Sequence, residues 1–215
     1  MLDILRNITQ EVNAASSLQE AMDLVVLRVC ESMSVKVCSL YLRDDSDNFV
    51  LLATKGLNSD AIGRVSMTQN QGLVGYVAKR GEAINLESAE AHSRYLYFPE
   101  TGEERFASFL GVPVIHQRQV LGVLALQQQH RRRFDESEEA LMLTLSAQLA
   151  AIIAHAKATG DLEQYAEGPA DARFKGMPAV NGIAIGRAVV YSPTADLTSV
   201  PFQRIADVDS EIRLF

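Results

Sequence analysis

Residues 109–129 read FLGVPVIHQRQVLGVLALQQQ, and their pattern decides the fold. Aliphatic and β-branched residues fill two runs, Ala107 to His116 and Gln119 to Gln128, with only Gln117-Arg118 between them. Two such runs with so short a connection predict a long β-hairpin. Upstream, GLVGYVAKRGEAINL (72–86) opens on a glycine and breaks at Gly81. It predicts a tight turn into a short helix, followed by a short strand from Ala83 to Leu86. Between the two stretches, residues 88–106 lack periodicity and hold His92, Arg94, Tyr95, Tyr97, Phe98, Arg105 and Phe106. Loops of that length inside a compact domain are uncommon unless they have a task such as covering a site.

Toward the N-terminus, Val37–Leu42 and Phe49–Thr54 alternate with period 2 and flank the turn-rich segment 44–48, a second hairpin signal. Cys38, Leu40 and Leu42 share one face of the first strand, Ser39 and Tyr41 the other. The apolar face predicts packed helices and the mixed face something wetter. Ser17 and Glu20 form a capping box ahead of a helix carrying Leu18, Met22, Val25, Val29 and Met33. Residues 3–13 predict another helix, through Ile4, Leu5, Ile8 and Val12. Residues 57–70 read as a polar loop. Asp135 and Glu138 make a second capping box, opening a helix to about Lys157 with Leu141, Leu145, Leu149 and Ile152 on one face. Residues 158–174 read as a linker. Residues 175–215 contain a β-like run, Ile183–Tyr191, but about 40 residues bury too little surface to form a domain alone.

The chain has 215 residues, 47% apolar and 22% charged, with net charge −7. That composition excludes intrinsic disorder. The acidic balance argues against nucleic acid, since a phosphate backbone demands concentrated positive charge; Arg131-Arg132-Arg133 reads as a solvated loop. The N-terminal residues do not read as a basic-then-apolar secretory signal, and the apolar stretches read as too short to span a bilayer. Two cysteines, Cys30 and Cys38, exclude a disulfide scaffold and point to a reducing cytoplasm. Enzyme signatures are thin: the four histidines pair neither with each other nor with a cysteine, and there is no nucleophile elbow or Walker loop. The better chemical candidate is the helix start at Gly72, whose free amides favour an anion, beside the arginines and aromatics of 88–106. Ligand pocket and plain core both fit that composition.

The order of elements, with the two quoted strings, resembles a GAF domain over residues 1–157. The resemblance implies an α+β, PAS-like fold: a central antiparallel sheet, terminal helices on one face and a small-molecule pocket on the other. The tail FKGMPAVNGIAIGRAVVY (174–191) resembles the opening of phosphoenolpyruvate-protein phosphotransferases, the Enzyme I family. RNITQEVNAASSLQEAM (6–22), GEERFASFLGVPVI (102–115) and RRRFDESEEALMLTLSAQLAAI (131–152) strengthen a match to the nitrogen-related branch. That implies a parent using Mg²⁺ and phosphoenolpyruvate to phosphorylate a histidine and pass the phosphate to a histidine-phosphocarrier protein, while this chain, ending before the histidine motif, is non-catalytic and needs no cofactor. The GAF domain would be the regulatory input, responding to glutamine or a related carboxylate. Ser39, Tyr41, Gly72, Leu73, Val74, Tyr97, Phe98, Arg105 and Ser108 are the expected ligand contacts, Arg105 holding the carboxylate. Bilin attachment and sulfoxide reduction require cysteines later than Cys38. A ligand-free scaffold for dimerisation or docking is the alternative. The alanines at 140, 147, 151, 154 and 158 predict a homodimer through the 135–157 helix, with residues 3–13 alongside.

Overall fold

The computed structural model describes residues 2–102 and 106–159. The elements run α1 (Leu2–Asn13), α2 (Leu18–Met33), β1 (Val37–Arg43), β2 (Phe49–Lys55), β3 (Ser66–Met67), α3 (Gly72–Arg80), β4 (Ile84–Leu86), β5 (Ser108–His116), β6 (Gln119–Gln128) and α4 (Glu136–Thr159). Within the expected loop 57–70 lie a 3-10 turn, Ser59–Ala61, and the two residues of β3. The expected linker start at 158 falls inside the last turn of α4; its remainder and residues 175–215 lie outside the described residues.

Six strands form one antiparallel sheet in the order β3-β2-β1-β6-β5-β4. The face carrying Cys38, Leu40, Leu42, Leu110, Val112, Val114, Leu124 and Leu126 packs on α2 and α4 in the larger core. The opposite face carries Tyr41, Phe109, Val123 and Ala125 against Leu73, Val74 and Val77 of α3. The division read from β1 therefore holds, but the second face is not wet. Ser39 is 1% and Tyr41 4% exposed, because α3 and the 88–102 segment roof it.

One irregularity resets the faces. Leu40 pairs with Ala53 and Tyr41 with Leu51, which leaves Leu52 as a bulge. The extra residue reverses the alternation, so Leu51 faces α3 while Ala53 faces the helices. The Leu52 carbonyl accepts from Gln19 Nε2 of α2 at 3.2 Å. At the β5–β6 turn, Gln117 (φ 47°) and Arg118 (φ 67°) both take the left-handed region, the mirror-image turn that matches strand twist.

Both helix starts are capped as their sequences predict, with one difference. Ser17 Oγ accepts from the Glu20 N–H at 3.2 Å, but the Glu20 carboxylate reaches past the cap to Ser16, accepting its N–H at 2.7 Å and its hydroxyl at 2.5 Å. Those bonds, side chain first, lower the Glu20 pKa. At α4 the box is reciprocal: Glu138 N–H to Asp135 Oδ1 at 2.9 Å, Asp135 N–H to Glu138 Oε2 at 2.8 Å.

The 24-residue α4 corrects the expectation about apolar length. It is long and apolar enough to cross a membrane by length and composition, and the alanines of its outer face contribute to that. Its inner face, Leu141, Met142, Leu145, Leu149 and Ile153, is buried in the larger core, the place of a core helix.

Candidate functional site

Strand register builds the site. Ser39, Ala125 and Gly111 stand abreast across β1, β6 and β5. Larger residues flank that row: Tyr41–Val123–Pro113 on one side and Val37–Gln127–Phe109 on the other. The small middle row makes a shallow trough across the sheet, and only a glycine at 111 leaves space for the Phe109 ring, which lies in it. α3 stands over the trough with Gly72, Leu73 and Val74, and Met67, Tyr95, Leu96 and Phe98 close the roof. The cavity between them measures about 20 Å³, room for a single water.

Gly72 takes φ +65°, a conformation that glycine adopts without strain, and so turns the chain into α3. Gln71 precedes the helix without capping it through its side chain; its Oε1 accepts from the Thr68 N–H at 3.0 Å instead. A Cβ at Gly75 would collide with the Thr68 carbonyl, so glycine at this position lets α3 sit close to the preceding loop. The roof is tied down at several points. The Ala89 N–H donates to the Ala107 carbonyl at 2.6 Å and the Asn58 N–H to the Thr101 carbonyl at 3.1 Å. His92 packs against Tyr76 of α3 with ring centroids 5.2 Å apart, and Arg94 Nη1 donates to the Asn70 carbonyl at 3.3 Å.

Six expected contacts converge on the cavity: Ser39, Tyr41, Gly72, Leu73, Val74 and Phe98. Tyr97 does not line it; its neighbours Leu96 and Phe98 do. Arg105 lies outside the described residues. Ser108 is a correction. It shares strand parity with Leu110, Val112 and Val114, and therefore faces the helices. Its hydroxyl donates to the His130 carbonyl and accepts the Arg132 N–H at 2.8 Å, pinning the β6–α4 connection. Asn85 of β4 holds the same connection, donating to the Phe134 carbonyl at 2.9 Å and accepting its N–H at 3.1 Å. Met67, Leu96, Phe109, Ala125 and Gln127 are the lining residues that sequence reasoning missed.

The polar content of the cavity is small and neutral. Ser39 Oγ is satisfied by Thr54 Oγ1 at 2.8 Å. Gln127, 8% exposed as a residue, lines the cavity, and its carboxamide has no hydrogen-bond partner among the described residues. No described lining residue is charged.

Other groups are committed elsewhere. Cys30 and Cys38 lie in the helix-side core; burial raises the Cys30 pKa to about 11 and pushes Cys38 well above the usual thiol range. Both thiols are therefore protonated and poor nucleophiles at neutral pH. In the basic run, Arg131 pairs with Glu90, and Arg132 grips both oxygens of Glu138 at 2.8 Å. Among the described residues no cluster of three His, Cys, Asp or Glu has metal-binding geometry.

The model of the GAF domain matches residues 17–153. The GAF domain of a phosphoenolpyruvate-protein phosphotransferase from Coxiella burnetii is 49% identical with a TM-score of 0.71, covering 74% of this chain and 95% of that one. The corresponding Acinetobacter domain is 43% identical, with a TM-score of 0.69 over 74% of this chain and 96% of that one. The phosphoenolpyruvate-dependent phosphotransferase system protein of Salmonella typhimurium is 41% identical over 186 residues, or 86% of this chain. The chain spans only 24% of that relative's length. On these grounds, the chain belongs to the GAF domain family and is similar to GAF domains carried by phosphoenolpyruvate-protein phosphotransferases.

Proposed function

We propose that this GAF domain is the small-molecule-sensing input of a phosphoenolpyruvate-dependent protein phosphotransferase that passes phosphate to a histidine-phosphocarrier protein in nitrogen regulation, in the cytoplasm. The observation that carries the reading is the trough: a floor of small residues from three strands, aromatic walls, the start of α3 and one unpartnered carboxamide, all under a roof tied to both α3 and the sheet. Such a mostly apolar recess with a few convergent polar groups is the usual form of a ligand site. The proposed ligand is glutamine or a related carboxylate, its carboxylate at the Leu73 and Val74 amides and at Arg105. With a cavity of about 20 Å³, entry requires the Phe109 ring or the roof to move.

Thermal melting of the chain with glutamine, glutamate and 2-oxoglutarate tests the reading, because a ligand that prefers the native state raises the melting temperature by mass action. A concentration-dependent rise with one of them is expected; none with any of the three sinks it. The phosphoryl step and its Mg²⁺ are assigned to the full-length parent rather than to this chain. Incubation of this chain with labelled phosphoenolpyruvate and Mg²⁺ should leave it unlabelled.

The small cavity also favours a second reading, a ligand-free scaffold for dimerisation. Ala140, Leu143, Ala147 and Ala151 form an exposed stripe on α4. α1 lies alongside, with Thr9 Oγ1 hydrogen-bonded to Gln148 Oε1 at 2.8 Å. A homodimer through this face is proposed under either reading, and sedimentation at the monomer mass at micromolar concentration would reject it.

A further inference from the structure

Gln127 stands on the central strand β6, its backbone between Val37 of β1 and Phe109 of β5. A glutamine 8% exposed at such a place has given up most of its hydration, and its amide makes no hydrogen bond among the described residues while lining the cavity, so a partner brought into that cavity would gain most of a hydrogen bond's worth. Its neighbour Ser39 has a partner in Thr54; Gln127 has none among the described residues. It faces a cavity of one water's volume, and the Phe109 ring fills the rest of the trough beside it.

We infer that Gln127 is the specificity-determining residue of the pocket, reading a ligand's amide edge once the ligand displaces the Phe109 ring from the trough. This rests on the sensor reading above. A primary carboxamide offers one donor and one acceptor side by side, and its complement is another such pair: a ligand's primary amide or the lactam edge of a nucleobase. Each forms two hydrogen bonds with Gln127, in either order, because the side chain can flip. A carboxylate offers two acceptors, so one of its oxygens opposes Gln127 Oε1. No charged side chain among the described lining residues offsets that repulsion. A site built around a buried hydrogen-bonding pair rejects the mismatched analogue far more strongly than an apolar pocket rejects a changed methylene.

Calorimetric titration of the full 215-residue chain with L-glutamine, L-glutamate and uracil tests this, alongside a Gln127→Met variant of similar length and no hydrogen bonds. Wild type should bind glutamine or uracil about tenfold or more tighter than glutamate, and which of the two binds identifies the source of the amide edge. Gln127→Met should lose that preference. In the absence of ligand it should melt at the same or a higher temperature than wild type, because the unpaired amide is gone. Equal affinity for glutamine and glutamate, or an unchanged preference in Gln127→Met, overturns the role of Gln127 and leaves the sensor reading standing. A Gln127→Met melting temperature lowered by several degrees overturns it too, since the amide then has a structural partner. No heat with any probe overturns the sensor reading and this inference together, leaving Gln127 as the holder of a single water.

Discussion

The ring of Phe109 folds back over Gly111, two residues along the same strand and on the same face. A Cβ placed on Gly111 would stand 2.7 Å from Phe109 Cζ, 2.8 Å from its Cε1, and 2.8 Å from Cγ2 of Val77 in α3. The glycine is thus what allows the trough to be filled from within, and the contact can be tested.

Gly111→Ala should destabilise the domain by about 1–3 kcal/mol, the usual range for overpacking a dense core. In a Phe109→Leu background the same change should cost clearly less, because the ring it strikes is gone; contacting pairs couple by about 0.5–3 kcal/mol. Urea unfolding of the four variants closes the cycle. Equal costs in both backgrounds would mean that the ring and the glycine do not interact.

Ser108→Ala removes a hydroxyl that serves the His130 carbonyl and the Arg132 N–H. The expected loss is about 1–3 kcal/mol, the range for stranding buried backbone groups. Affinity for any ligand of the trough should be unchanged, since the side chain faces the helices. A binding defect without a stability defect would restore Ser108 to the ligand site.

The thiols give a pH signature. The Cys30 pKa is raised from 9.0 to about 11 by burial. Between those values the unfolded chain releases its proton while the native protein keeps it. The unfolded state then binds fewer protons, and stability falls as pH rises. Cys30→Ala should flatten that alkaline fall. In the native protein at pH 8 both thiols should react with a thiol reagent only as fast as the domain opens; rapid labelling of either would contradict their burial.

Arg132 combines a two-pronged bond to Glu138 with a stacked position 4.3 Å from the Phe134 ring centroid. Arg132→Ala should cost about 1–2 kcal/mol in thermal or urea unfolding. Arg132→Lys should recover less than half of this, for an ammonium has neither the fork nor the flat face. Full recovery by lysine would reduce the contact to simple charge.

Much of this was legible in the sequence, through local signals. Alternation in Val37–Leu42 separated the helix face from the pocket face, and Asp135 with Glu138 marked the start of α4. The Leu52 bulge was not legible, because it is settled by pairing with β1 and by Gln19, 33 residues away. Gln127 was hidden in a run of three glutamines (127–129) that reads as a polar exit from a strand; only the flanking strands show that it is indoors. Ser108 was a misreading of an available signal, since its parity with Leu110 and Val112 already pointed it at the helices. The wet face expected beside Ser39 and Tyr41 was dry because the roof comes from segments without periodicity.

The floor of the trough is drawn from positions 39, 111 and 125, so no local fragment of the chain contains it. A slip of β1 by one residue would turn Ser39 toward the helices and bring Cys38 or Leu40 to the floor. The recess therefore exists only when three strands, distant in sequence, are in register. Whatever occupies it needs the finished sheet as its floor, with α3 and the 88–102 segment above it. Its binding energy then adds to the cooperative unfolding of the whole domain, and partly folded chains have no site to offer.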